Sequence, residues 1–288
     1  YRKYANADVG QQWVIRAAYY VALSSDVAKS GEVRVWRKRT IEAFDRWRQT
    51  AKTGVQTTGS LEASMAAELD YTTLDEDIAK SFDYETGHHR YEGTTLEVVD
   101  KYKADAAEAK RWYSELQRVA DKYVSPQWAT VAIARQGSLY DSLRTGLYNT
   151  RPPALKMFDA KTEALLKRAE TSDNPDLQEK ADAARVKVRQ VWREKRDQEL
   201  QSADHIMVDR YATAVAYARR YNVTSPAVTN AIRRLAFFGD LIGEAQMKDF
   251  TSGVSGLGYT EGMFQRMRPG AIAVPETTGM PGSRPEGG

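Results

Sequence analysis

Three histidines are the residues of this chain best suited to metal or acid–base chemistry: His88, His89 and His205. Glu85 and His88 are three residues apart, which is the spacing of a di-iron motif on a helix. Thr86 and Gly87 lie between them, in a segment rich in turn-forming residues, and the sequence contains no second Glu-x-x-His pair. The pattern therefore predicts a polar surface loop over residues 85–93, a single helix histidine, and no metal site.

The remaining motifs that could carry chemistry are each incomplete. Residues 75–77 form an Asp-Glu-Asp run, but they lack the alternating ligands and central glycine of a calcium-binding loop. Residues 253–256 lack the Lys-Ser/Thr pair of a phosphate-binding loop, and residues 136–139 lack the second glycine of a nucleophile elbow. The chain has no cysteine, which excludes thiolate nucleophiles, zinc–cysteine sites and iron–sulfur clusters.

These patterns predict that the protein is not an enzyme and has no catalytic residue, cofactor or metal ion. One catalytic alternative is left open, a hydrolase that uses a pair of carboxylates. The 39 acidic residues form many such pairs and none of them stands out in the sequence. Two close, buried carboxylates in an open cleft would support it.

Composition restricts the classes of partner. Charged residues make up 28% of the 288 positions, yet the formal net charge is only +3, so the charges are typical of solvated helix faces and not of a nucleic-acid-binding surface. No apolar run is long enough to cross a bilayer. Because the first residue is Tyr1 and not Met, we expect any signal peptide or lipid anchor to lie upstream, so that membrane association would come only from outside this sequence.

The apolar pattern predicts an all-α fold of stacked antiparallel helical hairpins. Apolar residues recur at helical spacing, and no segment alternates with the period of a strand. Trp13, Ala17, Tyr20 and Leu23 recur at helical spacing, which predicts that they form the apolar stripe of the first helix. Thr94 and Glu97 have the spacing of a capping box. The expected helices span about 9–24, 33–47, 60–84, 94–123, 126–148, 160–169, 176–221 and 226–250.

Two Ser-Pro junctions define how these helices connect. Ser125-Pro126 and Ser225-Pro226 each place an N-capping serine before a proline suited to the first helical position. So few residues separate the flanking helices that the second must fold back on the first. We therefore expect helix 94–123 to pair with helix 126–148, and the last helix to pair with residues 204–221.

The segment between these junctions is expected to contain a further turn. Residues 193–199 are polar all round the predicted helix, which is typical of a stretch that projects into solvent or ends in a turn. We favour a hairpin turn near residues 201–204.

The helices group into two units followed by a tail. We predict a helix pair at 1–59, a helical-hairpin domain at 60–250 and a flexible tail rich in Gly and Pro at 251–288. The tail contains an apolar and basic cluster that is either docked on the helical body or is a linear motif for a protein partner. Its candidate partner-binding residues are Met263, Phe264, Arg266, Met267 and Arg268.

Two sets of residues resemble parts of a known class of repeat protein. Trp13, Ala17 and Tyr20 resemble the first helix of a tetratricopeptide repeat, although Arg16 replaces a usual apolar residue. Residues 138–149, residues 207–215, and Gly262-Met263-Phe264 with Arg266, Arg268 and Pro269 resemble the C-terminal region of large myxobacterial tetratricopeptide proteins. The resemblance covers residues 9–269.

This resemblance implies a tetratricopeptide-like α-solenoid and a location in the periplasm, associated with the outer membrane. Such proteins include lipoprotein-type components of the gliding-motility envelope machinery, and their partners are other envelope proteins. The expected function is accordingly a non-catalytic scaffold of a cell-envelope assembly. The alternative is a soluble helical module that binds a small ligand or cell-wall glycan in a groove between helices.

Overall fold

The computed structural model describes residues 1–7, 9–150 and 156–252. Within these ranges the chain is helical, with one short 3-10 turn (Tyr84–Thr86) and no β-strand, which confirms the predicted all-α class. The helices are α1 (Arg2–Ala5), α2 (Gln12–Ala22), α3 (Ser25–Ser30), α4 (Val33–Thr50), α5 (Leu61–Ser81), α6 (Thr95–Tyr123), α7 (Pro126–Asn149), α8 (Ala160–Glu170), α9 (Pro175–Tyr221), α10 (Pro226–Ile242) and α11 (Glu244–Phe250).

Consecutive long helices pack against each other from α4 to α7, and α9 then packs on α7 and α10. The α7–α9 interface is the most extensive, and Leu139 and Leu143 of α7 lie in the same buried core cluster as Met207 and Tyr211 of α9. Gly137 permits this close approach, since a Cβ there would lie 2.7 Å from a ring carbon of Tyr211. In the described part of the chain, no helix combines the length and apolarity needed to cross a membrane.

The two Ser-Pro junctions turn the chain back as expected but differ in their capping. At the second, Ser225 Oγ accepts a hydrogen bond from the Val228 amide at 3.2 Å, as predicted. At the first, the described residues give Ser125 no such bond. Its hydroxyl instead lies 3.2 Å from that of Ser64 on α5, so a tertiary contact replaces the predicted cap.

The hairpin turn predicted near residues 201–204 is wrong, because α9 is a single helix of 47 residues. Its interior from 176 to 221 contains no Gly or Pro that would break it. The polar run at 193–199 is flanked by buried Trp192 and Leu200. Asp204, within the expected turn, is buried and accepts a hydrogen bond from Arg144 of α7 at 2.7 Å. Packing on α7 therefore holds this stretch helical.

The buried stripe of α2 is also different from the prediction. Val14, Ile15, Ala18 and Val21 face the core, and of the predicted stripe only Ala17 joins them, at 4% exposed. The other three stripe residues are exposed: Trp13 at 44%, Tyr20 at 46% and Leu23 at 54%. Because α2 packs against both α4 and α5, the small side chains on its inner face allow close contact with two helices. The larger aromatic rings lie on the outer face.

Candidate functional site

The segment 82–94, which links α5 to α6, positions two polar sites. Its residues 85–93 were predicted to form a polar surface loop, which is wrong at their centre, since His89 is only 1% exposed and Tyr91 is 3% exposed. The segment packs on α7 at Gly146, where a Cβ would lie 2.5 Å from that of His89. His205, predicted to be a helix histidine, is an exposed residue of α9 that stacks on Phe250 with ring centroids 4.9 Å apart.

The first site is a histidine–carboxylate cluster formed by His88, His89, Asp105 and Glu108. Asp105 Oδ2 lies 2.9 Å from His89 Nδ1 and accepts a hydrogen bond of 2.9 Å from the Tyr91 hydroxyl. Burial acts to raise the pKa of Asp105, but these hydrogen bonds outweigh it and hold the pKa below its ordinary value. Asp105 is therefore a fixed carboxylate anion at neutral pH.

His88 lies close to the carboxylate of Asp105 and to a second carboxylate, that of Glu108. Its Nε2 atom is 3.3 Å from Asp105 Oδ1 and 3.5 Å from Glu108 Oε2. The other oxygen of Glu108 accepts hydrogen bonds from Trp112 at 3.2 Å and Arg111 at 3.3 Å. Asp105 and Glu108 are three residues apart on α6, so one helix face presents both carboxylates to the histidine.

The Glu85-x-x-His88 pair does not form a site of its own. Glu85 lines a neighbouring cleft, whereas the ring nitrogen of His88 faces the carboxylates of α6. Sequence reasoning missed Asp105 and Glu108. The signal that points to them is their spacing on the helix that directly follows the two histidines.

The second site is a polar cleft of about 320 Å³ between the 3-10 turn and α7, α9 and α10. Arg135 of α7 lies in its wall and donates to Asp75 at 2.6 Å and to Asp83 at 2.8 and 2.9 Å. Burial acts to lower the pKa of Arg135, but its hydrogen bonds to Asp83 and the charge of Asp75 raise it above its ordinary value. The cleft is lined by Asp83, Tyr84, Glu85, Arg135, Ser138, Asp141, Ser142, Thr145, Tyr211, Asn230 and Arg234.

The second arginine of the cleft, Arg234, is also paired with a carboxylate. Asp141 accepts hydrogen bonds from Arg234, one of them at 2.6 Å, and from the Tyr211 hydroxyl at 3.2 Å. Both arginines in the wall therefore have carboxylate partners.

The acidic run at 75–77 lies inside α5, and each of its residues forms an ion pair with an arginine of another helix. Asp75 binds Arg135, Glu76 binds Arg37 at 2.8 Å, and Asp77 binds Arg34. Its role is to connect α5 to α7 and α4.

A third feature is an exposed aromatic surface at the N-terminal end, which we call the aromatic face. The Tyr4 and Trp13 rings meet edge to face at 5.8 Å between centroids, and the Tyr1 and Tyr20 rings lie 5.4 Å apart. All four side chains are classed as exposed. The other candidate partner-binding residues, Met263, Phe264, Arg266, Met267 and Arg268, lie outside the described residues.

Comparison with known proteins found no match, so the molecule is described by its fold and its sites. No family model matches the sequence, and no significant match was found among the curated proteins or the solved structures. The class that the described residues define is an all-helical protein of packed long helices with two polar sites and an aromatic face. The resemblance to myxobacterial tetratricopeptide proteins and the domain boundary at 59/60 stay predictions.

Proposed function

We propose that this protein is a non-catalytic helical scaffold that binds another protein through its aromatic face. The observation that carries the proposal is the exposure of four neighbouring rings, Tyr1, Tyr4, Trp13 and Tyr20, on α2 and the residues before it. Tyrosine and tryptophan are enriched at the energetically dominant positions of interfaces, because they bury much area at low entropic cost. Large apolar rings grouped on a surface are typical of such contacts.

Charge indicates the chemistry of the partner. Residues 1–59 contain eleven Lys or Arg and five Asp or Glu, a formal charge of +6, whereas the whole chain has +3. Arg2 and Lys3 lie on α1 beside Tyr1 and Tyr4. The partner that fits is therefore a protein segment with apolar side chains flanked by acidic residues.

We also propose a location in the periplasm, in association with the outer membrane, as part of a cell-envelope assembly such as the gliding-motility machinery. The basis is the resemblance in residues 138–149 and 207–215 to myxobacterial envelope proteins. On this proposal the partner is another envelope protein.

A photo-crosslinking amino acid placed at Tyr4 in the native cells should capture one envelope protein. Binding of the full chain to that identified protein should then weaken at least about tenfold on Trp13→Ala or Tyr20→Ala, since truncating a dominant aromatic residue of an interface costs about 2 kcal/mol or more. The dissociation constants can be measured by isothermal titration calorimetry.

The matched control is Leu177→Ala, which removes an equally exposed apolar side chain from α9 and should leave the affinity unchanged. Equal affinities of the wild type and both aromatic variants would reject the aromatic face as the docking surface. A crosslinked partner that fractionates with the cytoplasm would reject the proposed location.

A second candidate function is binding of a small polar ligand or a cell-wall glycan fragment, and the 320 Å³ cleft is the observation that favours it. Its arginines are already paired with carboxylates, so a neutral, hydroxyl-rich ligand suits it better than an anion. Asn230 offers a side-chain amide at the cleft wall, and its oxygen accepts a hydrogen bond of 2.8 Å from Arg233.

Titration with a soluble peptidoglycan disaccharide should show saturable binding, and Asn230→Ala should weaken it about fivefold, the effect of losing one hydrogen bond of about 1 kcal/mol. Chemical shifts of the protein amides would report the dissociation constant. Gln190→Ala removes an exposed amide from α9 and serves as the control. Absence of saturable shifts would exclude this ligand class.

A further inference from the structure

We propose that His88, His89 and Asp105 bind a divalent first-row transition-metal ion such as Zn²⁺. The two histidines belong to the α5–α6 segment, and Asp105 lies on α6. The site is separate from the aromatic face and from the 320 Å³ cleft. It therefore goes beyond the proposed function and does not depend on it.

The candidate ligand atoms surround one centre. A ring nitrogen of each histidine and a carboxylate oxygen of Asp105 all lie within 4.8 Å of one another. Three atoms no more than 4.8 Å apart share a centre within about 2.8 Å of each, the radius of the circle through an equilateral triangle of that side. Nitrogen and oxygen ligands bind Zn²⁺ at about 2.0–2.2 Å, so shifts of less than about 1 Å would bring all three atoms to bonding distance.

The carboxylate of Asp105 already lies at ligand-to-ligand distance from both rings. His89 Nδ1 is 2.9 Å from Asp105 Oδ2, and His88 Nε2 is 3.3 Å from Asp105 Oδ1. Bonds of about 2.1 Å to one ion place neighbouring ligand atoms about 3.0 Å apart at a right angle and about 3.4 Å apart at the tetrahedral angle. The separations of Asp105 from the two histidines are therefore those of neighbouring ligands.

The buried histidine nitrogens supply an independent observation. Nε2 of His88 and Nε2 of His89 are two of the four buried side-chain nitrogen or oxygen atoms in the described part of the chain that have no hydrogen-bond partner. The His89 side chain is 0% exposed, so it has no contact with bulk water. Such atoms are rare in folded proteins, and a bound ion is one of the arrangements that account for them.

The charge of the cluster also suits a cation. Asp105 is 5% exposed, and within the described residues it forms no ion pair with a lysine or arginine; its side-chain partners are His88, His89 and Tyr91. Buried carboxylates are normally paired with a cation or coordinate a metal ion. The Tyr91 hydroxyl donates to Asp105 Oδ2 at 2.9 Å, which is the kind of outer hydrogen bond that orients a metal-binding carboxylate.

The ligand set indicates the type of ion. Two imidazole nitrogens with one carboxylate oxygen are typical of Zn²⁺ and Fe²⁺ sites, whereas Ca²⁺ prefers six to eight oxygens. The His88 side chain is 33% exposed, so the ion would also be accessible to water. Because the ligands come from two segments, the ion would fix the α5–α6 segment onto α6.

The untagged full chain, freed of metal with a chelator and dialysed, should bind one equivalent of Zn²⁺ in a competition titration against a chromophoric chelator. His88→Gln and Asp105→Asn should each raise the dissociation constant at least about 100-fold, because loss of a ligand exceeds the roughly 10–100-fold effect of an outer partner. Tyr91→Phe, which removes an outer hydrogen bond to Asp105, should raise it by that smaller factor. Zn²⁺ at 100 times its dissociation constant should raise the Tm of the wild type by about 4 °C and that of His88→Gln by less than about 1 °C.

Two control variants test the ligand set. His205→Gln removes an exposed histidine of α9 and should leave the affinity unchanged. Glu108→Gln removes a carboxylate next to His88 that is not one of the three ligands, and it should raise the dissociation constant less than about tenfold.

Circular dichroism would establish that every variant is folded, and His88 is partly exposed, so its replacement is the least disturbing of the ligand changes. Absence of stoichiometric binding by the wild type, or wild-type affinity in folded His88→Gln, would overturn the proposal. A loss of affinity in Glu108→Gln as large as that in Asp105→Asn would overturn this set of ligands.

Discussion

Replacing Arg135 with methionine is expected to lower the free energy of unfolding by about 3 kcal/mol, at the lower end of the range for breaking a buried ion pair. The Arg135 side chain is 12% exposed and contacts carboxylates from two segments: Asp83 through two hydrogen bonds and Asp75 through one. Its loss leaves Asp83, whose side chain is 21% exposed, without this cation. Asp75 is 41% exposed and regains water, which limits the cost.

The effect should depend on the planar guanidinium and not on charge alone. Arg135→Lys keeps the positive charge but cannot donate in parallel to both oxygens of Asp83, so we expect about half the loss, 1–2 kcal/mol. Urea unfolding monitored by circular dichroism would give both values. Arg111→Met is the matched control, because Arg111 is 66% exposed and its surface contact to Glu108 contributes less than about 1 kcal/mol.

The Arg135→Met variant also tests what holds the α5–α6 segment in place beside the two polar sites. Arg135 joins Asp83, at the start of the α5–α6 segment, to α7. The same segment continues to His88 and His89. A loss of stability below about 0.5 kcal/mol in Arg135→Met would show that other contacts, such as the packing of His89 on Gly146, hold the segment in place.

The all-helical class and the pairing of α6 with α7 were predictable because their signals are local. Helical spacing, the Thr94–Glu97 capping box and the Ser225 cap each involve residues within four positions, and all three are present in the structure. The pairing of α6 with α7 follows from a link of two residues. Short connections leave neighbouring helices few alternatives.

The sites were not predictable in the same way because they depend on distant contacts. His88 meets Asp105 only after the α5–α6 segment folds back onto α6, and Arg135 meets Asp83 across 52 positions. Similarly, α2 carries one stripe with Trp13 and Tyr20 and another with Val14, Ala18 and Val21. Contact of α2 with both α4 and α5 decides which stripe is buried. The stripe with Val14, Ala18 and Val21 is buried because its small side chains let the helices approach closely.

The prediction of a hairpin within α9 was wrong for a similar reason, because a local sequence signal did not determine the structure of the whole helix. The polarity of residues 193–199 is a valid signal of solvent contact, but it does not distinguish a turn from an exposed helix. Absence of Gly and Pro between 176 and 221 favours the helix, and the buried contacts of Trp192, Leu200 and Asp204 stabilise it. At 47 residues and about 1.5 Å per residue, α9 spans about 70 Å.

A proline at position 202 distinguishes the two structures directly. Ser202 is exposed, so Ser202→Pro loses little side-chain packing, but within a continuous helix it removes the bond from its amide to the Gln198 carbonyl and places the ring against that oxygen. We expect a loss of about 3 kcal/mol or more in urea unfolding. In a hairpin turn at 201–204 the same change would cost less than about 1 kcal/mol, since proline suits many turn positions.

The control is a proline that the fold should accept. Ala160 is exposed at the first position of α8, and Asp159 before it has an extended backbone, which is the conformation that a following proline favours. Ala160→Pro should therefore change the free energy of unfolding by less than about 1 kcal/mol. Equal stability of both proline variants would contradict a continuous α9. A selective loss in Ser202→Pro would establish that the segment carrying Asp204, which accepts a hydrogen bond from Arg144 of α7, is helical.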